Sequence, residues 1–154
     1  MAKPRLRMFA GPNGSGKSVL IEELKNSKIP LGPVVNADEI RKQLKNRGYL
    51  DLIQFRLKNI QQEDWEKALK EIAEIKNRLK KIPTVPEVHI KENTLICKDV
   101  DDAYHAALIT DFLRHCLVQQ NVSFSFETVM SHPAKIEFLA RIYHQEIFRS
   151  ARRW

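Results

Sequence analysis

The chain has little of what would mark it as secreted, membrane-spanning or built around a metal. Its two cysteines, Cys97 and Cys116, lie far apart with no C-x-x-C spacing, which excludes a disulfide framework and leaves both thiols expected to be reduced and structural. Apolar runs extend only a few residues, as at Ala106 to Ile109, far short of the roughly 20 that a membrane helix needs. Lys3, Arg5 and Arg7 are followed only by Met8 to Ala10 before a glycine-rich stretch begins. A signal peptide would need an apolar run of about 7 to 15 residues there, so the cytoplasm is the expected location. The histidines (His89, His105, His115, His132 and His144) never stand four apart around a carboxylate, and no transition-metal site is expected. Only 5 glycines and 7 prolines occur in 154 residues, which excludes a low-complexity protein and leaves one globular domain over residues 1–154 as the expectation.

Positive charge is in moderate excess. Lys and Arg number 26 against 19 Asp and Glu, a net charge of +7. Nucleic acid, an anionic surface or a phosphorylated substrate could each draw on it, and so could a merely solvated basic surface. The charge is spread along the chain, so a nucleic-acid partner is not favoured and a membrane partner is not expected.

Leu6, Met8 and Phe9 within Arg5–Ala10 read as a short strand. A glycine loop follows, then a helix from Ser18 to about Asn26 whose apolar positions Val19, Leu20, Ile21 and Leu24 suit packing on a sheet. Val34, Val35 and Asn36 form a second predicted strand, with a helix from Ala37 to about Leu44. Strand, loop, helix, strand is the opening of a parallel α/β sheet. Residues 63–81 carry Trp65, Leu69, Ile72, Ile75 and Leu79 three and four apart, an amphipathic helix. Pro83 and Pro86 break it, and Val88 to Cys97 fits either strand or loop. A helix from Asp99 or Asp101 to about Gln120 buries Ala103, Ala106, Ala107, Phe112, Leu113, Cys116 and Leu117 in this reading. Asp99, Asp101 and Asp102 sit at its start, where negative charge suits a helix N-terminus. Ser123 to Glu127 alternates as a third strand, and a last helix from Pro133 carries Ile136, Leu139, Tyr143 and Ile147.

The segment Gly11-Pro12-Asn13-Gly14-Ser15-Gly16-Lys17-Ser18 fits G-x-x-x-x-G-K-[ST], a pattern expected by chance roughly once in a few hundred chains of this length. It reads as a phosphate-binding P-loop. Glycines let successive amides turn toward phosphate oxygens while the following helix presents its positive end. Lys17 is expected to reach the β- and γ-phosphates, and Ser18 to place its hydroxyl on Mg2+. ATP is the expected nucleotide, since no N-K-x-D guanine-reading element is evident. Asp38, at the tip of the second strand, stands where a carboxylate could take the proton of an attacking hydroxyl. Equally, Asp38 or Asn36 could only cap the next helix. Glu127 ends the third strand, where it could serve the magnesium shell or the substrate, or be solvated.

R-L-R-M-F-A-G-P-N-G-S-G-K-S, V-V-N-A-D-E-I and S-F-S-F-E-T-V-M-S, in order over residues 5–131, resemble the zeta-toxin-like family of P-loop kinases. The segment D-D-A-Y-H-A-A-L-I-T-D-F-L-R-H is similar to the helix before the F-E-T strand of bacterial members. The resemblance implies a three-layer P-loop NTPase fold with a parallel sheet and a helical insertion between strands 2 and 3, here over residues 46–98. It implies transfer of the ATP γ-phosphate to a small hydroxyl-bearing substrate, such as UDP-N-acetylglucosamine in the toxins proper. Lys17, Asp38 as general base and Glu127 would be the catalytic residues, and an antitoxin would be a partner. Where the toxins read E-G-T, this chain has Glu127-Thr128-Val129, a departure from the motif at the position to which the threonine role would pass, Thr128.

Members of the family continue with a further strand, a lid whose arginines stabilise the transferring phosphoryl group, and a last strand and helix. Residues 140–154 do not resemble them. The expectation is a non-native tail there, a sheet incomplete at its C-terminal strands, and self-association through its open edge. An arginine acting on the transition state is worth about 10³ to 10⁵ in rate, or roughly 4 to 7 kcal/mol, so transfer is expected to be impaired. The alternatives are a nucleotide-binding module without kinase activity, or a basic nucleic-acid-binding protein.

Overall fold

The computed structural model describes residues 3–78, 85–100, 103–129 and 140. Its elements run β1 (Leu6–Ala10), α1 (Lys17–Asn26), β2 (Val34–Val35), α2 (Ala37–Arg47), β3 (Tyr49–Asp51), a 3-10 turn (Leu52–Phe55), α3 (Gln62–Arg78), β4 (His89–Lys91), β5 (Thr94–Ile96), α4 (Ala103–Gln119) and β6 (Phe124–Thr128). This is an α/β protein. The helix expected from Pro133, with the tail at 140–154, lies outside the described residues apart from Ala140. So do Asp101 and Asp102.

Two compact units divide the chain. The first joins residues 1–35 to residues 121–154 and holds a parallel three-stranded sheet in the order β1-β6-β2. Leu6 pairs with Phe124 and Ala10 with Thr128, while Val35 pairs with Phe126. The last described strand therefore lies in the middle. A central parallel strand is covered on both faces, and Phe124, Ser125, Phe126 and Thr128 are all buried. Of the two polar side chains among them, that of Ser125 donates its hydroxyl to the Leu31 carbonyl at 2.7 Å. Gly32 lies alongside with φ of +66°, and a Cβ there would collide with the Ser123 carbonyl oxygen. In α1 the expected apolar set is only partly used. Ile21 is buried, whereas Val19 is 64% and Leu20 46% exposed.

The second unit, residues 36–120, contains α2, α3, α4 and an antiparallel sheet in the order β3-β5-β4. Asn36, in extended conformation, caps α2 with its side chain, and Gly48 at φ of 75° ends it. The Gly48 amide closes that end by donating to Leu44 O at 2.8 Å, the arrangement that favours glycine after a helix. β4 and β5 form a hairpin around Glu92 and Asn93, whose φ values of 51° and 58° are both left-handed, as a two-residue hairpin turn requires. The Asn93 side chain donates to Leu57 O at 2.8 Å and accepts from Ile60 N at 3.1 Å, tying that turn to the chain before α3. Gln62 similarly brackets β4, donating to Val88 O at 3.0 Å and accepting from Ile90 N at 2.7 Å. Residues 46–98 thus carry three strands besides α3, and the stretch Val88–Cys97 that composition left open is the hairpin.

α4 is the core helix of this unit. Ala106, Phe112, Leu113, Cys116 and Leu117 are buried as expected, together with Leu108, Ile109 and Val118, but Ala107 is only half-buried and Ala103 is exposed. Trp65 of α3 meets Phe112 edge to face, with ring centroids 5.2 Å apart, the preferred aromatic geometry. Arg114 is buried beside Asp111 at 3.1 Å. Burial lowers its pKa, and the Asp111 charge partly opposes that shift.

Candidate functional site

The glycine loop joins β1 to α1 within the first unit. Gly14 and Gly16 take φ values of +78° and +87°, and a Cβ on either would meet nothing within 4 Å. Backbone conformation, rather than crowding, is therefore what favours glycine at both positions. Gly16 is the N-cap of α1 and brings no side-chain acceptor to the first-turn amides. A helix start of this kind can receive an anion, because its amides and its dipole both favour negative charge.

Both ends of the loop are held by the end of β6. At its start, the Gly11 amide donates to Thr128 O at 3.2 Å. At its other end, the Ser18 hydroxyl donates to Glu127 Oε1 at 3.3 Å. Parallel pairing of Phe9 with Glu127 and Ala10 with Thr128 brings these groups together. Within the loop, Ser15 N donates to Pro12 O at 3.2 Å. Lys17 curls over it, its ammonium donating to Gly11 O at 2.7 Å and to Pro12 O at 2.8 Å.

Three of the residues singled out from the sequence, Lys17, Ser18 and Glu127, therefore converge at one end of the parallel sheet. Their chemistry is an ammonium, a hydroxyl and a carboxylate beside the glycine loop. Ser18 and Glu127 are hard oxygen donors of the kind Mg2+ takes. Among the described residues, no group of three or more His, Cys, Asp or Glu comes together that could hold a metal ion by itself. Pro12, Asn13 and Ser15 line the exposed part of the loop.

Asp38 belongs to the second unit, in the first turn of α2, and is exposed. Of the two residues that could cap α2, it is Asn36 that does so. Asn36 Oδ1 accepts from the Asp38 amide at 2.8 Å and from the Glu39 amide at 3.4 Å. The Thr128 carbonyl was not among the residues singled out; only strand register, which sequence spacing does not supply, places it at Gly11. Away from these groups, burial pushes the Cys116 thiol up to about 12 and also raises Cys97, so neither is an activated nucleophile.

No protein-family model matches the chain, and no curated protein or solved structure matches it either. No helix among the described residues is long and apolar enough to cross a membrane.

Proposed function

We propose that this protein is a P-loop nucleotide-binding protein, and specifically an ATP-dependent phosphotransferase of zeta-toxin type that acts on a small hydroxyl-bearing substrate, with a nucleotide sugar as the first class to try. The observation that carries the reading is the convergence of Lys17, Ser18 and Glu127 on a loop whose two left-handed glycines open a helix. Gly11 to Ser18 would cradle the triphosphate, with Lys17 leaving the loop carbonyls for the β- and γ-phosphates. Ser18 and Glu127 would hold Mg2+, which neutralises phosphate charge when bound. In the transfer, the acceptor hydroxyl oxygen bonds to the γ-phosphorus and the bond from that phosphorus to the β–γ bridging oxygen breaks. The hydroxyl proton passes to the Asp38 carboxylate, and ADP leaves. A carboxylate within hydrogen-bond reach of a bound alcohol can accept its proton as the new bond forms.

The test is to incubate the pure protein with ATP, Mg2+ and a pool of nucleotide sugars and look for phosphorylated product. Product that forms slowly, because residues 140–154 do not resemble the family's arginine-bearing lid, and that disappears in Asp38→Ala is the expected result. ATP binding without product would leave only the nucleotide-binding module, and absence of ATP binding would overturn both readings.

A further inference from the structure

The Asn36 side-chain oxygen accepts from two helix amides at unequal lengths, and the shorter bond comes from Asp38, the residue proposed above as the proton acceptor. Asn36 Oδ1 receives the Asp38 amide at 2.8 Å and the Glu39 amide at 3.4 Å. Asn36 itself is extended, with φ of −131° and ψ of 123°, so the chain turns from β2 into α2 at this residue. The first amides of a helix need an acceptor. Asp38 and Glu39 both carry carboxylates in that first turn, and either could fold back to supply one. With the Asn36 oxygen already in place, they need not.

We propose that Asn36 is the positioning residue for the Asp38 carboxylate. It pins the amide of the residue from which that carboxylate hangs, and it occupies the helix amides that would otherwise draw the carboxylate onto its own backbone. The inference rests on the reading of Asp38 as the proton acceptor. It also differs from ordinary capping in a way that can be measured, because glycine at an N-cap keeps nearly all the cap's stability yet has no side-chain oxygen. A cap that serves only the helix tolerates Asn36→Gly. A positioning residue does not.

The experiment follows product formation from ATP with the nucleotide-sugar pool, together with ATP affinity and thermal stability, in Asn36→Gly, Asn36→Asp, Asp38→Asn and the double variant Asn36→Gly/Asp38→Asn. In Asn36→Gly the expected result is a fall in kcat of about 10- to 100-fold, the scale of a small misplacement of a reacting group. ATP affinity and thermal stability should stay close to those of the parent protein. Asn36→Asp, which restores a cap oxygen, should recover most of the rate. Asp38→Asn should already have lost it, so the double variant should fall no further. A kcat unchanged in Asn36→Gly, or losses that multiply in the double variant, would overturn the inference while leaving the phosphotransferase reading in place. A parent protein that binds ATP and forms no product would overturn both.

Discussion

Two glycines share a left-handed backbone but not a neighbourhood, and replacing each with alanine separates two costs. Gly14 has φ of +78° with open space around it, whereas Gly32 has φ of +66° and the Ser123 carbonyl in the way of any Cβ. Left-handed backbone costs an alanine roughly 1 to 2 kcal/mol. Restricting the unfolded chain returns about 0.4 to 1 kcal/mol to either variant. Gly14→Ala should therefore lose about 0 to 1.6 kcal/mol. Gly32→Ala has the same terms plus the displacement of backbone next to the central strand β6, with Phe124 Cα 3.3 Å from the added atom. Overpacking of that kind costs typically 1 to 3 kcal/mol. The difference between the variants should then be about 1 to 3 kcal/mol, or roughly 3 to 9 °C in Tm for a chain of this size. Thermal unfolding followed by circular dichroism, with urea midpoints as a second measure, reads it directly. Equal Tm values for the two variants would refute the close approach of residues 31–33 to Ser123.

The remaining expectations concern the site, the central strand and the thiols. Lys17→Ala removes a charged donor to phosphate worth about 1.5 to 3 kcal/mol, so ATP affinity measured by calorimetry should fall about 10- to 150-fold while the far-ultraviolet spectrum is unchanged. Unchanged affinity would remove the nucleotide reading. Ser125→Ala leaves the Leu31 carbonyl without its 2.7 Å donor, and urea denaturation should show a loss of about 1 to 3 kcal/mol. With the Cys116 thiol raised to about 12 by burial, almost none is thiolate at pH 8, so a thiol reagent should label it only after denaturation. Labelling of native Cys116 at pH 8, read by mass spectrometry, would contradict its burial.

The elements legible in the sequence are those specified by neighbouring residues. β1, the glycine loop and α1 follow one another within Leu6 to Asn26, and each signal is local: apolar residues, then glycines, then a helical run. α3 and α4 were likewise readable from apolar residues three and four apart. The second sheet was not, because β3, β4 and β5 are three residues each, too short for alternation to stand out from loop. The burial of α1 was over-read for a geometric reason. Consecutive helix residues are about 100° apart, so Val19, Leu20 and Ile21 cannot share one face. Ile21 is buried with Leu24 half-buried, and the other two face outward.

The site shows the same division between local and distant information. Glycine, lysine and serine in the loop identify themselves by spacing, since the conformation they require lies within eight residues. Whether Asn36 or Asp38 caps α2 could not be read in that way, because both residue types cap well. The outcome depends on which of them keeps extended backbone, and Asn36 does so. Glu127 and Thr128 lie farther still, more than a hundred residues from the loop they hold. Their part follows from the return of β6 to the middle of the sheet, where adjacent residues offer a carboxylate to Ser18 and a carbonyl to Gly11. A carbonyl carries no side-chain signature, so half of that attachment has no trace in the sequence. The other half, the carboxylate, could be found only because it stands at the end of a strand.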